Sequence, residues 1–234
     1  MKIVVTDLTR FSNKEILCMA GIALDGSERC VRPMRPKPAR NSYYEYETLR
    51  KHDVLPGTIL SGTFTPIPGT SAPHTEDAHV DGMQKVGACS TSEFRDILEK
   101  TSVSTLSEGF GVAITDKVIP LGETPKVSIV TLKIKPTQLV VTESYEKIKG
   151  HVEDSGAGRL SWLSVTDLGF FDNVGTGKKI SVDDVNELMH RQDELFLRIG
   201  LSRPHKTDDG RNGYWLQING VYMFPNFSKI IRSY

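Results

Sequence analysis

Absences narrow the reading of this 234-residue chain first. It has three cysteines, Cys18, Cys30 and Cys89, widely spaced and without a C-x-x-C pair. That excludes a disulfide framework and a zinc ribbon, and a reducing cytoplasm is the expected compartment. Net charge is also missing: 29 basic residues balance 29 acidic ones, which argues against coating nucleic acid through a high overall charge. No apolar run approaches the roughly 20 residues of a spanning helix. The start, Lys2 followed by a short strand pattern and Asp7, lacks a signal-peptide pattern, so no membrane partner is expected. Catalytic signatures are scarce as well. There is no Gly-x-Ser-x-Gly elbow, and the glycine-rich run 174–179 has Asp172 and Lys179 where a phosphate-cradling Walker loop needs Gly and Ser or Thr. No cofactor and no catalytic residue are indicated.

Short strand patterns separated by turn residues fill much of the chain: 2–6, 15–24, 29–34, 58–65, 111–119, and 126–142 with a break at Pro136, then 160–165, 195–201, 214–219 and 221–224. Such spacing predicts a mainly β, barrel-like fold. Asp25-Gly26 and Asn219-Gly220 read as hairpin turns, because these pairs accept the positive φ of a tight turn. Two short helices are predicted, one capped by Ser92 with Phe94, Ile97 and Leu98 on one face, the other capped by Ser181 with Val182, Val185, Leu188 and Met189. The proline-rich run 66–73 cannot lie inside a sheet and reads as the start of an insertion. The acid- and glycine-containing run 151–158 reads as a link between halves. Two units are therefore expected, 1–150 with an inserted loop and helix over about 67–123, and 151–234.

What the chain does contain is a matched pair of strands ending in Arg-Pro, 21–33 and 197–204. Arg29, Arg32, Arg35, Lys37 and Arg40 lie within twelve residues that hold no acid, a local positive field suited to an anion. Tyr43, Tyr44 and Tyr46 follow, and Trp162, Tyr214, Trp215, Tyr222 and Phe224 belong to strands of the later half. Aromatic plates beside arginines suit a nucleotide base or a single strand, by stacking and phosphate contact, although aromatics on strands more often fill a core. Alternation sets Tyr214, Leu216 and Ile218 on one face and Trp215 with Gln217 on the other, so Trp215 faces away from the main core. His74, Glu76, Asp77 and His79 group imidazoles with carboxylates in a pattern that can hold a divalent metal, against the plainer reading of a solvated loop.

The segments 19–22, 29–33, 73–77, 197–204 and 215–222 together resemble the bacterial dual OB-fold family. The resemblance implies two small OB-like barrels packed in one chain, nucleic acid or a nucleotide as ligand, and a sensing role in prokaryotic antiviral defence. It implies binding residues where basic and aromatic side chains gather: Arg29, Arg32, Arg35, Arg198, Arg203, Trp215 and Tyr44. Two rival readings stay open. One is a metal-dependent enzyme acting on nucleic acid or nucleotides through His74, Glu76, Asp77 and His79; the other is a docking module in which Trp215 and the tyrosine patch meet a protein partner or a second copy.

Overall fold

A computed structural model describes residues 1–36, 42–227 and 231–232. Lys37 and Arg40 of the basic run lie outside the described residues. The chain begins with β1 (Lys2–Arg10), β2 (Ile16–Ala23), β3 (Cys30–Met34), β4 (Tyr44–Glu45), α1 (Tyr46–Lys51), β5 (Thr58–Pro66) and β6 (Asp77–Ala88). Their sheet runs β1-β5-β6-β3-β2, with β1 also paired to β2, so it closes on itself. Strands β3 and β6 are parallel and the other pairs antiparallel, the five-stranded Greek-key barrel of the OB-fold. Closure removes the exposed edges that an open five-stranded sheet would leave. Inward side chains such as Ile3, Leu17, Val31, Leu60 and Val80 fill the barrel.

A connecting region follows: α2 (Thr91–Lys100), β7 (Ser102–Val103), α3 (Leu106–Phe110) and β8 (Val118–Pro120). The α2 cap is Ser90, two residues before the expected Ser92, because Glu93 stands three residues on and closes a capping box. The chain then runs β9 (Ile129–Ile134), a single 3₁₀ turn (Pro136–Gln138), β10 (Leu139–Ser144), β11 (Lys147–Asp154), β12 (Gly158–Val165), α4 (Leu168–Asn173), α5 (Val182–His190), β13 (Glu194–Leu201), β14 (His205–Lys206) and β15 (Asn212–Phe224). The second sheet is ordered β10-β11-β12-β15-β13-β9-β7, and β12 and β15 are parallel. β10 at one end and β9, next to β7 at the other, are consecutive segments joined by the turn at Pro136, so this sheet also curls into a barrel. Two successive barrels of one strand order make the fold mainly β with a few short helices.

Three expectations shift. The first sheet ends at Ala88, and residue 150 lies inside β11, a strand of the second sheet; the two units divide in the connecting region rather than there. The supposed link 151–158 is the end of β11 and a tight turn, and the supposed insertion from 67 holds the twelve-residue β6, whose last eight residues are all at least partly exposed and so show no strand period. Asn219-Gly220 is no hairpin. It lies within β15, which pairs with β13 over Leu216–Phe224, and Asn219 is the extra residue of a bulge opposite Arg198 and Ile199.

Between the barrels lies a third apolar cluster. Val4 of β1, Phe94 and Leu98 of α2, and Phe196, Tyr222 and Phe224 of the second barrel pack together, and the Tyr222 hydroxyl donates to the Thr6 carbonyl at 2.5 Å. Among the described residues, no helix is long and apolar enough to cross a membrane.

Candidate functional site

The sequence-derived site residues fall into three places. Arg32, Arg198 and Arg203 meet at the seam between barrels. Arg198 is 1% exposed, and its guanidinium donates to Asp7 Oδ2 at 3.0 Å, Thr131 Oγ1 at 2.7 Å and Cys30 Sγ at 3.3 Å. Arg32 donates to Asp77 Oδ1 at 2.5 Å and lies 3.6 Å from Glu76 Oε1 and 3.2 Å from His74 Nδ1. Arg203, half-exposed, reaches the other Asp77 oxygen at 2.8 Å. These guanidinium groups are engaged with carboxylates of the protein: Arg198 and Arg203 tie the second barrel to the first, and Arg32 pairs within the first and shares Asp77 with Arg203.

Arg29 is exposed at the mouth of a cleft beside this seam. Arg35 pairs with Glu45 at 3.3 Å, and Tyr44 is 9% exposed in the first barrel's core, where burial pushes its hydroxyl up to about 12. Both border a hollow of about 900 Å³ that reaches the inward side chains Leu60 and Val80 of that barrel and shares no lining residue with the seam cleft.

The metal candidates do not assemble. His74 and Asp77 face guanidinium groups, which repel a cation, while His79 sits on β6 opposite Met34. Among the described residues no cluster of three or more His, Cys, Asp or Glu is placed to hold a metal ion. Burial, then Arg203 and Arg32, hold the His74 imidazole down at about 4, so it is neutral near pH 7. Cys30 is also unreactive, its thiol pushed up to about 12 by burial in spite of Arg198.

Trp215 alone of the seven lies in a groove of about 430 Å³ on the open face of the second barrel, lined by β11, β12 and β15. The alternation in β15 is as expected: Leu216 and Ile218 are buried, and Trp215 and Gln217 line the groove. The Trp215 indole N–H donates to the His205 carbonyl at 3.1 Å, and its backbone N–H to Ser202 Oγ at 2.9 Å. The Arg211 guanidinium, held by Asp209, lies 4.9 Å from the indole centre, and Lys117 Nζ lies 6.0 Å away. The 202–206 segment is fastened from the far side, since Arg203 grips Asp77 of the first barrel.

Opposite Trp215 stands Trp162, 52% exposed. Gly150 pairs with Leu163 and Val152 with Leu160, so one residue of β11 faces two of β12. The bulge places Trp162 at φ 64°, a left-handed conformation rare for a bulky side chain and costing about 1–3 kcal/mol. It turns the indole outward, edge-on to the His151 ring at 5.0 Å. Lys149, on β11, donates to Ser164 Oγ at 2.9 Å. Burial, with Lys147 and Lys117 nearby, lowers its ammonium below the usual lysine range. Two indoles flanked by these ammonium groups can stack a flat ring and neutralise a phosphate.

Sequence reasoning named Trp162 only among the strand aromatics, not among the site residues, and missed Lys117, Lys149 and His205. One signal was present. In 160–165 the buried residues are Leu160, Leu163 and Val165, a phase slip in the two-residue period that betrays a bulge at Ser161-Trp162.

Compared with known proteins, the chain matches no protein-family model and no curated protein.

Proposed function

We propose that this chain is a binding module for single-stranded nucleic acid or a nucleotide, and that the ligand lies in the Trp162–Trp215 groove. The observation that carries the reading is the strained bulge that presents Trp162 across from Trp215, with Lys117 and Lys149 between elements of the same face. A bulky residue held at positive φ and turned to solvent costs stability that a purely structural tryptophan would not require. The groove crosses the second and third strands of its barrel and borders the loop between the fourth and fifth, where OB-folds bind oligonucleotides. The dual OB-fold resemblance implies the same ligand class and extends it to a sensor of prokaryotic antiviral defence.

The neutral total charge suits a short contact, with few phosphates neutralised. The test is fluorescence polarisation with labelled single-stranded DNA, single-stranded RNA, duplex DNA and a nucleotide panel at two salt concentrations. Saturable binding that weakens with salt and quenches tryptophan emission is expected for a single strand or a nucleotide. Absence of binding in every arm overturns the reading and leaves the groove to a protein partner.

A further inference from the structure

A second concavity lies apart from the tryptophan groove, at the seam of the two barrels. It encloses about 390 Å³, within the range of small-ligand pockets. Its walls come from both barrels and the connecting region: Ile22 and Val31 on one side, Val103 on another, Ile129 and Val130 on the third. Three buried charged residues line this mostly apolar space, Glu76 at 9% exposure, Asp77 at 5% and Arg198 at 1%, together with exposed Glu28 and Arg29.

The charges at this seam balance only with the help of its rim. Three carboxylates are buried, Asp7, Glu76 and Asp77, against two buried guanidiniums, Arg32 and Arg198; Arg203 compensates only from the exposed rim, through Asp77. His74, neutral near pH 7, adds no positive charge. The hydrogen bonds balance less well. Glu76 Oε1 accepts from Ser128 and faces Arg32, yet Glu76 Oε2 has no hydrogen-bond partner among the described residues, and neither has Asp7 Oδ1. A buried carboxylate oxygen without a donor is costly, and two at one seam call for an explanation.

We infer that the seam cleft is a binding site for a small molecule with a flat apolar body and a positively charged N–H donor group, an amidinium or an amine, which pairs with Glu76. The apolar walls take the body, and the donor group supplies the hydrogen bond that Glu76 Oε2 lacks. Because the walls belong to both barrels, such a ligand also clamps one barrel to the other. This site is independent of the tryptophan groove and of what that groove binds.

The test uses the full chain and benzamidine as the probe, with benzoate, of the same shape and opposite charge, as the control. Two-dimensional NMR follows the amides of Ile129, Val130 and Thr131 during titration. Saturable shifts with benzamidine are expected, with a Kd in about the millimolar range for so small a molecule, and none with benzoate. Glu76→Gln should weaken the response at least tenfold, while Trp162→Ala leaves it intact. Val103→Phe fills the cleft from a half-buried wall and should also abolish it, which keeps the test decisive if Glu76→Gln folds poorly. No saturation with benzamidine, equal shifts with benzoate, or an unchanged response in a folded Glu76→Gln variant overturns the inference.

Discussion

The two barrels share a strand order but use the corresponding faces in opposite ways. In the first, the β2–β3 hairpin and the start of β6 are turned to the second barrel, and their charged residues Arg32, Glu76 and Asp77 are buried there. In the second, the matching region, β11, β12, the loop before β15 and the start of β15, is open and carries Trp162, Trp215 and Lys149. One fold thus supplies a docking face in one copy and a free groove in the other. The difference lies in what covers each face. On the proposed reading the seam arginines serve stability and the groove aromatics serve binding, two roles that separate by experiment.

The largest expected effect is at the seam. Arg198→Met leaves Asp7 buried without its partner and should destabilise the chain by about 3–5 kcal/mol in denaturant titrations. A loss below 1 kcal/mol would remove Arg198 from its structural role and return it to the candidate ligand contacts. Trp162→Ala comes next and acts on the other side of the comparison: stacking of about 1–3 kcal/mol per base is lost, weakening the best ligand by about 5- to 150-fold with an unchanged circular dichroism spectrum. Equal binding by this variant would separate the groove from the ligand. Trp162→Gly should lose binding in the same way yet gain about 1 kcal/mol of stability, since glycine accepts φ 64° without strain; a lower melting temperature would mean that the indole is a packing element.

Acid should loosen the seam before it affects the groove. The folded His74 titrates at about 4 against about 6.5 for a free imidazole, so the unfolded chain binds the extra proton first. Stability contributed by neutral His74 is present above about 6.5 and is lost as pH falls through about 4. His74→Gln should flatten the melting-temperature profile across that window. Smallest is the effect of base on binding. Lys149, lowered by burial and by Lys147 and Lys117, deprotonates earlier than an ordinary lysine, so phosphate affinity should decline with rising alkalinity sooner in wild type than in Lys149→Arg.

Much of the fold was legible in the residues. The β13 strand, the helix capped by Ser181, the break at Pro136 and the hairpin at Asp25-Gly26 each rest on a local rule of period, cap or turn, and each is present. The candidate site was legible only at Trp215, where a regular strand made alternation reliable. Trp162 escaped because a bulge reverses the side-chain phase, and the arginines misled because a positive run looks the same whether it meets a phosphate or a carboxylate on another strand. Asp7 and Arg198 are 191 residues apart, a distance over which local pattern carries no information.

The sequence by itself determined that this chain forms short strands around apolar cores, because alternation and turn chemistry are properties of neighbouring residues. Tertiary structure alone decided which barrel face is covered and which is open, where each arginine finds its acid, and how Trp162 turns outward. Those outcomes depend on the pairing of distant strands and on what burial leaves each charge to meet.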